Sequence, residues 1–408
     1  MKVISIICIV LVFISCKKEI HIEVSMKEDV TILASDSLKG RRTGTVYERM
    51  AANYIAKRFE DLGLEPKGTD GYFQEFTFKN KSNPHDDIKF VENTGDSTVT
   101  AVNVVGYLNN NAENTIVIGA HYDHLGMGSE GSLYRGEEKE IHNGADDNAS
   151  GVAVMLNLIK DLQGKNMNNN YLFIAFSGEE IGLLGSNYYV KNPTIDTKKV
   201  SYMFNMDMVG RLNEDRAIAV YGVGTSPKFK QALIANNIDF KLTEKESGVG
   251  PSDHTSFYLA DIPVLHFFTG QHEDYHKPGD DVEKINFEGM EAITQYLLAI
   301  ITDLDDDEKL AFRKTKNESE DVPDFKVTLG VIPDYLFDGK GMRIDGVSEE
   351  RSAQKAGMQK GDIVIKVGEY EIVDMMSYMK SLSKFEKGQK TMVVIDRAGE
   401  SIELEVTW

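Results

Sequence analysis

Thr115-Ile-Val-Ile-Gly-Ala-His-Tyr-Asp-His124 decides the fold. Its first six residues are almost wholly apolar, without polar alternation, which predicts a strand buried on both faces. The run then changes to four residues carrying imidazole, phenol and carboxylate groups. A buried strand that ends this way puts chemistry at its carboxyl end, where open α/β sheets bind their ligands.

The same arrangement recurs along the chain. Tyr171 to Phe176 runs into Ser177-Gly178-Glu179-Glu180, Val200 to Met206 into Asp207, and Ile262 to Phe268 towards Asp274-Tyr-His276. Ala217 to Tyr221 reads as one more strand. Helical spacing lies between them, at Val152–Leu162, Gly182–Tyr189, Pro227–Asn236 and Phe287–Leu304. Strand–helix alternation with continuous apolar strands predicts an α/β fold, a mostly parallel sheet sandwiched by helices. Upstream, Met26 to Leu64 is helical, broken by a loop at Lys39–Gly44.

Asn143-Gly-Ala-Asp-Asp-Asn-Ala-Ser-Gly151 sits ahead of the first of these helices. Adjacent carboxylates repel, and buried Asp is paired or metal-bound. With the strand ends, this stretch completes a set of five: His121, Asp147, Glu180, Asp207 and His276. Two metal ions sharing one carboxylate need about six protein bonds, which five residues supply if Asp147 bridges. Glu179 and Glu180 cannot both point one way, so one ligates and the other serves as general base. Asp123 is placed to hydrogen-bond the His121 imidazole. His124 is the alternative to His121, and Asp146 reads as structural support.

Composition narrows the classes. Lys+Arg 45 against Asp+Glu 65 leaves a net charge of −20, which argues against a nucleic-acid surface. Lys2, the apolar run Val3–Ile14 and Ser15-Cys16 predict a signal peptide over residues 1–16 and an extracytoplasmic protein. Ser15-Cys16-Lys17-Lys18 resembles a bacterial lipoprotein cleavage box, with Cys16 lipidated and anchoring the chain to a membrane. Phe13 and Ile14 depart from that box, which leaves plain secretion as the alternative. Both cysteines, Cys8 and Cys16, lie in this segment, so metal in the body must be held by His, Asp and Glu.

Five stretches, Gly119–His124, Gly144–Gly151, Phe176–Gly182, Asn205–Gly210 and Tyr275–Asp280, resemble in order the motifs of the secreted two-zinc aminopeptidases (metallopeptidase family twenty-eight). The likeness covers about Met26 to Leu304 and includes Leu33–Arg41. It implies two Zn2+ per chain, one held by His121 and Asp207, the other by Glu180 and His276, with Asp147 bridging. It also implies Glu179 as general base, Asp123 behind the first histidine and a cis peptide at Asp147–Asn148. Zinc, rather than cobalt or manganese, rests on this resemblance.

The charged run 305–322 reads as a linker between a peptidase domain (17–304) and a smaller mostly-β module (323–408). Strands are expected at Phe325–Val331, Met342–Val347, Ile363–Val367, Lys390–Asp396 and Ile402–Trp408. The module resembles a protease-associated PDZ domain, with Leu329, Gly330 and Val331 as the loop that binds a peptide or protein C-terminus. The expected function is removal of N-terminal residues from peptides. The alternatives are a glutaminyl cyclase or carboxypeptidase of the same fold, or an inert peptidase fold that binds peptides through the PDZ module.

Overall fold

The computed structural model describes residues 25–408 except 80–88, 93–94, 96, 129–130, 166, 317–324, 338 and 349–350. The signal segment, Cys16 and the end of the charged run therefore lie outside the described residues.

Among the described residues nine strands form the main sheet: β1 (Glu65–Pro66), β2 (Phe73–Lys79), β3 (Thr98–Leu108), β4 (Asn114–His121), β5 (Asn169–Phe176), β6 (Val200–Met206), β7 (Ala217–Tyr221), β8 (Lys241–Lys245) and β9 (Val264–Phe268). Their order is β1-β3-β5-β4-β6-β9-β7-β8, with β2 on β3. The four adjacent strands β5, β4, β6 and β9 are mutually parallel. Antiparallel pairings flank them, β3 on β5 and β7 on β9, so the sheet is mixed rather than mostly parallel. Periodicity could not show this, because β3 is buried over Ala101–Gly106 and reads like its parallel neighbours.

Helices cover both faces. They are α1 (Met26–Leu33), α2 (Val46–Asp61), α3 (Gly151–Leu162), α4 (Leu184–Lys191), α5 (Phe229–Asn236), α6 (His254–Tyr258) and α7 (Phe287–Asp303). Strand alternation divides the apolar side chains between two cores. Tyr171, Phe173 and Ala175 of β5 pack with α1, α2, α3 and α7, whereas Leu172, Ile174 and Phe176 pack with Tyr189 and Phe257. Each such fully buried side chain contributes about 1.5–3 kcal/mol of transfer free energy. Strand β8 and helix α6 are absent from the sequence expectation. Both are only five residues long, too short to show a period.

The charged run is not a free linker as far as Lys316. Asp305 accepts hydrogen bonds from Asn169 Nδ2 (3.0 Å) and Tyr171 OH (3.2 Å), Leu310 is buried, and Phe312 packs on Tyr258. A few anchors thus strap a charged surface segment to the domain of the main sheet.

The C-terminal module is a separate antiparallel sheet built from β10 (Val331–Pro333), β11 (Met342–Val347), β12 (Ile363–Val367), β13 (Tyr370–Glu371), β14 (Lys390–Arg397) and β15 (Glu400–Thr407), with α8 (Ser352–Lys355) and α9 (Met375–Leu382). It has its own core, including Leu329, Ile344, Val364, Val393 and Trp408. The strand expected over Phe325–Val331 begins only at Val331. Gly330 just before it is left-handed (φ +74°), which ends any extended run there.

One buried cation ties the start of the chain to the carboxyl edge of the main sheet. Arg41 is fully buried, and its guanidinium donates to the carbonyls of Leu33 (2.6 Å), Tyr122 (2.7 Å), Asn143 (2.6 Å) and Gly144 (3.0 Å). Burial lowers its pKa to about 10, opposed by Asp147 and Asp123, so it stays charged at neutral pH. Arg41→Met leaves these carbonyls without their donor and is expected to cost about 3 kcal/mol or more, read by chemical denaturation of the full chain.

Candidate metal centre

Asp147 is presented by a tight turn rather than by a regular element. Gly144 opens it at φ +59°, and a Cβ there would lie 2.2 Å from the Asp147 carbonyl oxygen, so only glycine fits. The Asp147–Asn148 peptide is cis. Asp280 holds the turn from outside: its carboxylate accepts the N–H groups of Asp146 (3.0 Å) and Asp147 (3.0 Å), and its carbonyl accepts that of Ala145 (2.9 Å). Asn148 ties the turn to the end of β6, donating to the Met206 carbonyl (2.9 Å) and accepting from Met208 N–H (3.2 Å).

The two carboxylates of the turn diverge. Asp146 accepts from Gly210 N–H (2.6 Å) and Ser150 Oγ (3.1 Å), and its other oxygen lies 3.2 Å from His272 Nε2. Asp147 faces two imidazoles, with Oδ1 3.3 Å from His121 Nε2 and Oδ2 3.3 Å from His276 Nε2. Asp207 Oδ1 lies 3.3 Å from the same nitrogen of His121, and Glu180 Oε2 lies 3.2 Å from that of His276. His121 comes from β4, Glu180 from the loop after β5, Asp207 from the end of β6 and His276 from the loop after β9. Four adjacent parallel strands thus deliver four groups to one edge.

Both imidazoles are oriented through their other nitrogen. His121 Nδ1 lies 3.2 Å from the Asp123 carbonyl oxygen, and His276 Nδ1 lies 3.0 Å from that of Gly131. With Nδ1 donating to a carbonyl, each Nε2 is turned to the carboxylates: it donates to them in the charged imidazole and would offer its lone pair to a metal in the neutral one. The Asp123 carboxylate is farther from the ring, at 3.7 Å. It accepts instead from Thr43 Oγ1 (2.8 Å) and Glu179 N–H (3.1 Å). Asp123 therefore reaches His121 through its backbone and the Glu179 loop through its side chain.

The donor set fits divalent metal. Bonds of about 2.0 Å around a tetrahedral ion put ligand atoms roughly 3.3 Å apart, close to the spacings seen. Two groups with suitably close ligand atoms share Asp147: His121–Asp147–Asp207 and His124–Asp147–Glu180. His124 thus does not compete with His121. Its Nδ1 lies 2.6 Å from Glu180 Oε1 and its buried Nε2 has no partner among the described residues, so it joins His276 on the Glu180 side.

Charge here is strongly perturbed. Burial and Asp147 push Glu180 up, but the imidazoles of His276 and His124 outweigh them and hold it at about 2. Burial opposes ionisation of Asp147 too, yet hydrogen bonds from His121 and His276 keep it well below the usual carboxylate range. Glu179 moves the other way. Burial first, then repulsion from Asp207, Glu180 and Asp253, raises it far above that range despite His121. Two neighbouring glutamates driven apart in this way suit different jobs, one as ligand and one as proton carrier.

Asp147, Glu179, Glu180, Asp207 and His276 open onto a cavity of about 150 Å³. Met208, Tyr221, Phe268 and Tyr275, which pack in one apolar cluster, line it too, beside His266 and Gln271. Leu329 and Gly330 lie just before β10 of the C-terminal sheet, and Val331 begins it. Leu329 is fully buried, and Gly330 N–H is bonded to Thr328 Oγ1 (3.2 Å).

Sheet, turn and shared carboxylate together form a candidate metal centre at the edge of an α/β sheet. Residues 103–301 match the model for Peptidase family M28. Aminopeptidase YwaD of Bacillus subtilis (strain 168) is 32% identical over 170 residues, covering 39% of this chain and 37% of YwaD. A probable leucine aminopeptidase of Arthroderma otae is 26% identical over 217 residues, 50% of this chain and 56% of the relative. The chain thus spans less than two thirds of either relative. Among solved structures, a zinc aminopeptidase from Bacillus subtilis superposes with a TM-score of 0.53 at 18% identity, over 71% of this chain and 99% of that one. A Porphyromonas gingivalis glutaminyl cyclase gives 0.54 at 18% identity, over 68% and 97%. These last two likenesses concern the fold.

Arg41, Asp280 and His272 support the centre although sequence reasoning assigned them no part in it, and His124, read as the alternative to His121, lies on the Glu180 side. Arg41 and Asp280 lie inside quoted motifs, but they act on backbone atoms, which no spacing rule reveals. Asp280→Ala removes the acceptor of two buried N–H groups. It is expected to cost about 2–4 kcal/mol in denaturation and to weaken zinc binding about tenfold or more in competition with a chromogenic chelator.

Proposed function

We propose that this protein is an extracytoplasmic aminopeptidase that carries two zinc ions per chain and removes N-terminal residues from peptides. The observation that carries this reading is Asp147, with one oxygen turned to His121 and the other to His276. His121 and Asp207 would hold one ion, Glu180 and His276 the other, with Asp147 between them. Bound there, the ions would polarise the scissile carbonyl and acidify a water molecule.

The chain's own residues supply the proton steps. Glu179 stands free of the imidazole–carboxylate contacts yet borders the same cavity, so its carboxylate takes the proton of the attacking water and passes it to the leaving amine. Asp123 positions it by accepting its N–H. The surplus of carboxylates suits a substrate with a protonated N-terminus, and the apolar wall suits its first side chain. Export rests on the N-terminal segment, and lipid anchoring on Cys16.

The C-terminal module is proposed to be a PDZ domain that takes a peptide or protein C-terminus. Its edge strand β10 follows Leu329-Gly330 and is open to pairing with a peptide. The fold shared with a glutaminyl cyclase keeps cyclisation as a second reading. Turnover of N-terminal glutamine peptides to pyroglutamate, without hydrolysis of aminoacyl nitroanilides, would favour it.

Metal analysis of the purified chain should find two zinc ions, and Asp147→Ala should leave one or none. Glu179→Gln should keep both ions and lower kcat by about 10²–10⁴-fold. Near-normal turnover in that variant would remove Glu179 from the mechanism.

A further inference from the structure

One wall of the catalytic cavity comes from outside the peptidase domain. After Pro333 the C-terminal module makes a turn through Asp334–Phe337, and Tyr335 lines the cavity that also holds Asp147, Glu179 and Asp207. Its ring meets Phe268 edge-on, with centroids 6.2 Å apart at 72°. Next to it, the Leu336 carbonyl accepts from Thr243 Oγ1 (3.2 Å). The Leu336 side chain lies over Gly270, where a Cβ would come within 2.9 Å. Tyr335 and Leu336 pack in one cluster with Met208 and Phe268.

The turn is braced within its own module. Asp334 Oδ1 accepts Leu336 N–H (2.9 Å), Asp334 Oδ2 accepts Arg343 Nε (2.7 Å), and Asp334 N–H donates to the Arg343 carbonyl (2.9 Å). The Arg343 guanidinium also lies over the Phe337 ring, 4.7 Å from its centroid. Tyr335 is thus delivered by a rigid corner and not by a loose tether.

We propose that Tyr335 is a specificity-determining residue: it closes the apolar half of the catalytic cavity and limits the size of the substrate's N-terminal side chain. The C-terminal module is then a structural part of the active site, separately from any peptide it binds. This inference rests on the aminopeptidase reading above. The cavity is about 150 Å³ and is shared with the side chains of Asp147, Glu179, Glu180, Asp207 and His276, so only part of that volume is open to a substrate side chain. With Tyr335 in place the space suits a compact aliphatic residue.

The test uses the full, zinc-loaded chain and aminoacyl nitroanilides of alanine, leucine and phenylalanine. In Tyr335→Ala the kcat/KM for phenylalanine relative to alanine should rise about tenfold or more. In Tyr335→Trp the value for leucine relative to alanine should fall, and Tyr335→Phe should stay within about twofold of wild type. Unchanged ratios in both the alanine and tryptophan variants, with zinc content preserved, would overturn the proposal. If one variant fails to fold, the other decides. Should wild type cleave none of the three, the aminopeptidase reading fails, and calorimetric binding of leucinamide and phenylalaninamide to wild type and Tyr335→Ala decides the wall alone. A preference that Tyr335→Ala leaves unaltered would sink it there too.

Discussion

A carboxylate as deeply buried as Asp147 is tolerable only because positive charge and hydrogen-bond donors converge on it. His121 and His276 each approach one of its oxygens at 3.3 Å, and the turn that presents it is gripped on both sides. Arg41 holds the carbonyls of Asn143 and Gly144, and Asp280 holds the amides of Asp146 and Asp147. Cation against carbonyls and anion against amides satisfy complementary ends of the same backbone segment. The rest of the centre is built around a carboxylate that cannot swing.

Sheet order explains how distant residues meet. His121, Glu180, Asp207 and His276 follow strands that are immediate neighbours, β4, β5, β6 and β9, all running the same way. Strands about 4.8 Å apart bring their carboxyl ends within ligand distance of common ions. The antiparallel strands on either side enlarge the covered sheet without contributing ligands. The corner that carries Tyr335 comes from a different sheet and reaches the cavity through packing on Phe268 and Gly270.

Much of this centre was legible in the residues. An apolar strand ending in His121 or Asp207 announces its own chemistry, because titratable groups have no reason to follow a buried run unless they are used there. Glu179 and Glu180 could be assigned different roles because neighbouring side chains diverge. The contributions of Arg41 and Asp280 were not legible: each binds main-chain atoms, and every residue offers those equally. His124 was read as a rival to His121, but its Nδ1 lies 2.6 Å from Glu180 on the other side of Asp147.

The sequence by itself determined that the strands are buried on both faces, that helices cover them, and that any metal in the body is held by imidazole and carboxylate. Those properties follow from local pattern and composition, which hydrophobic burial and ligand chemistry read directly. Only the tertiary structure decided that the sheet is mixed, that residues 305–316 lie against the domain of the main sheet, and that Tyr335 reaches the cavity. Each depends on strand order or on contact between separate cores. These are relations between distant segments, and no local pattern encodes them.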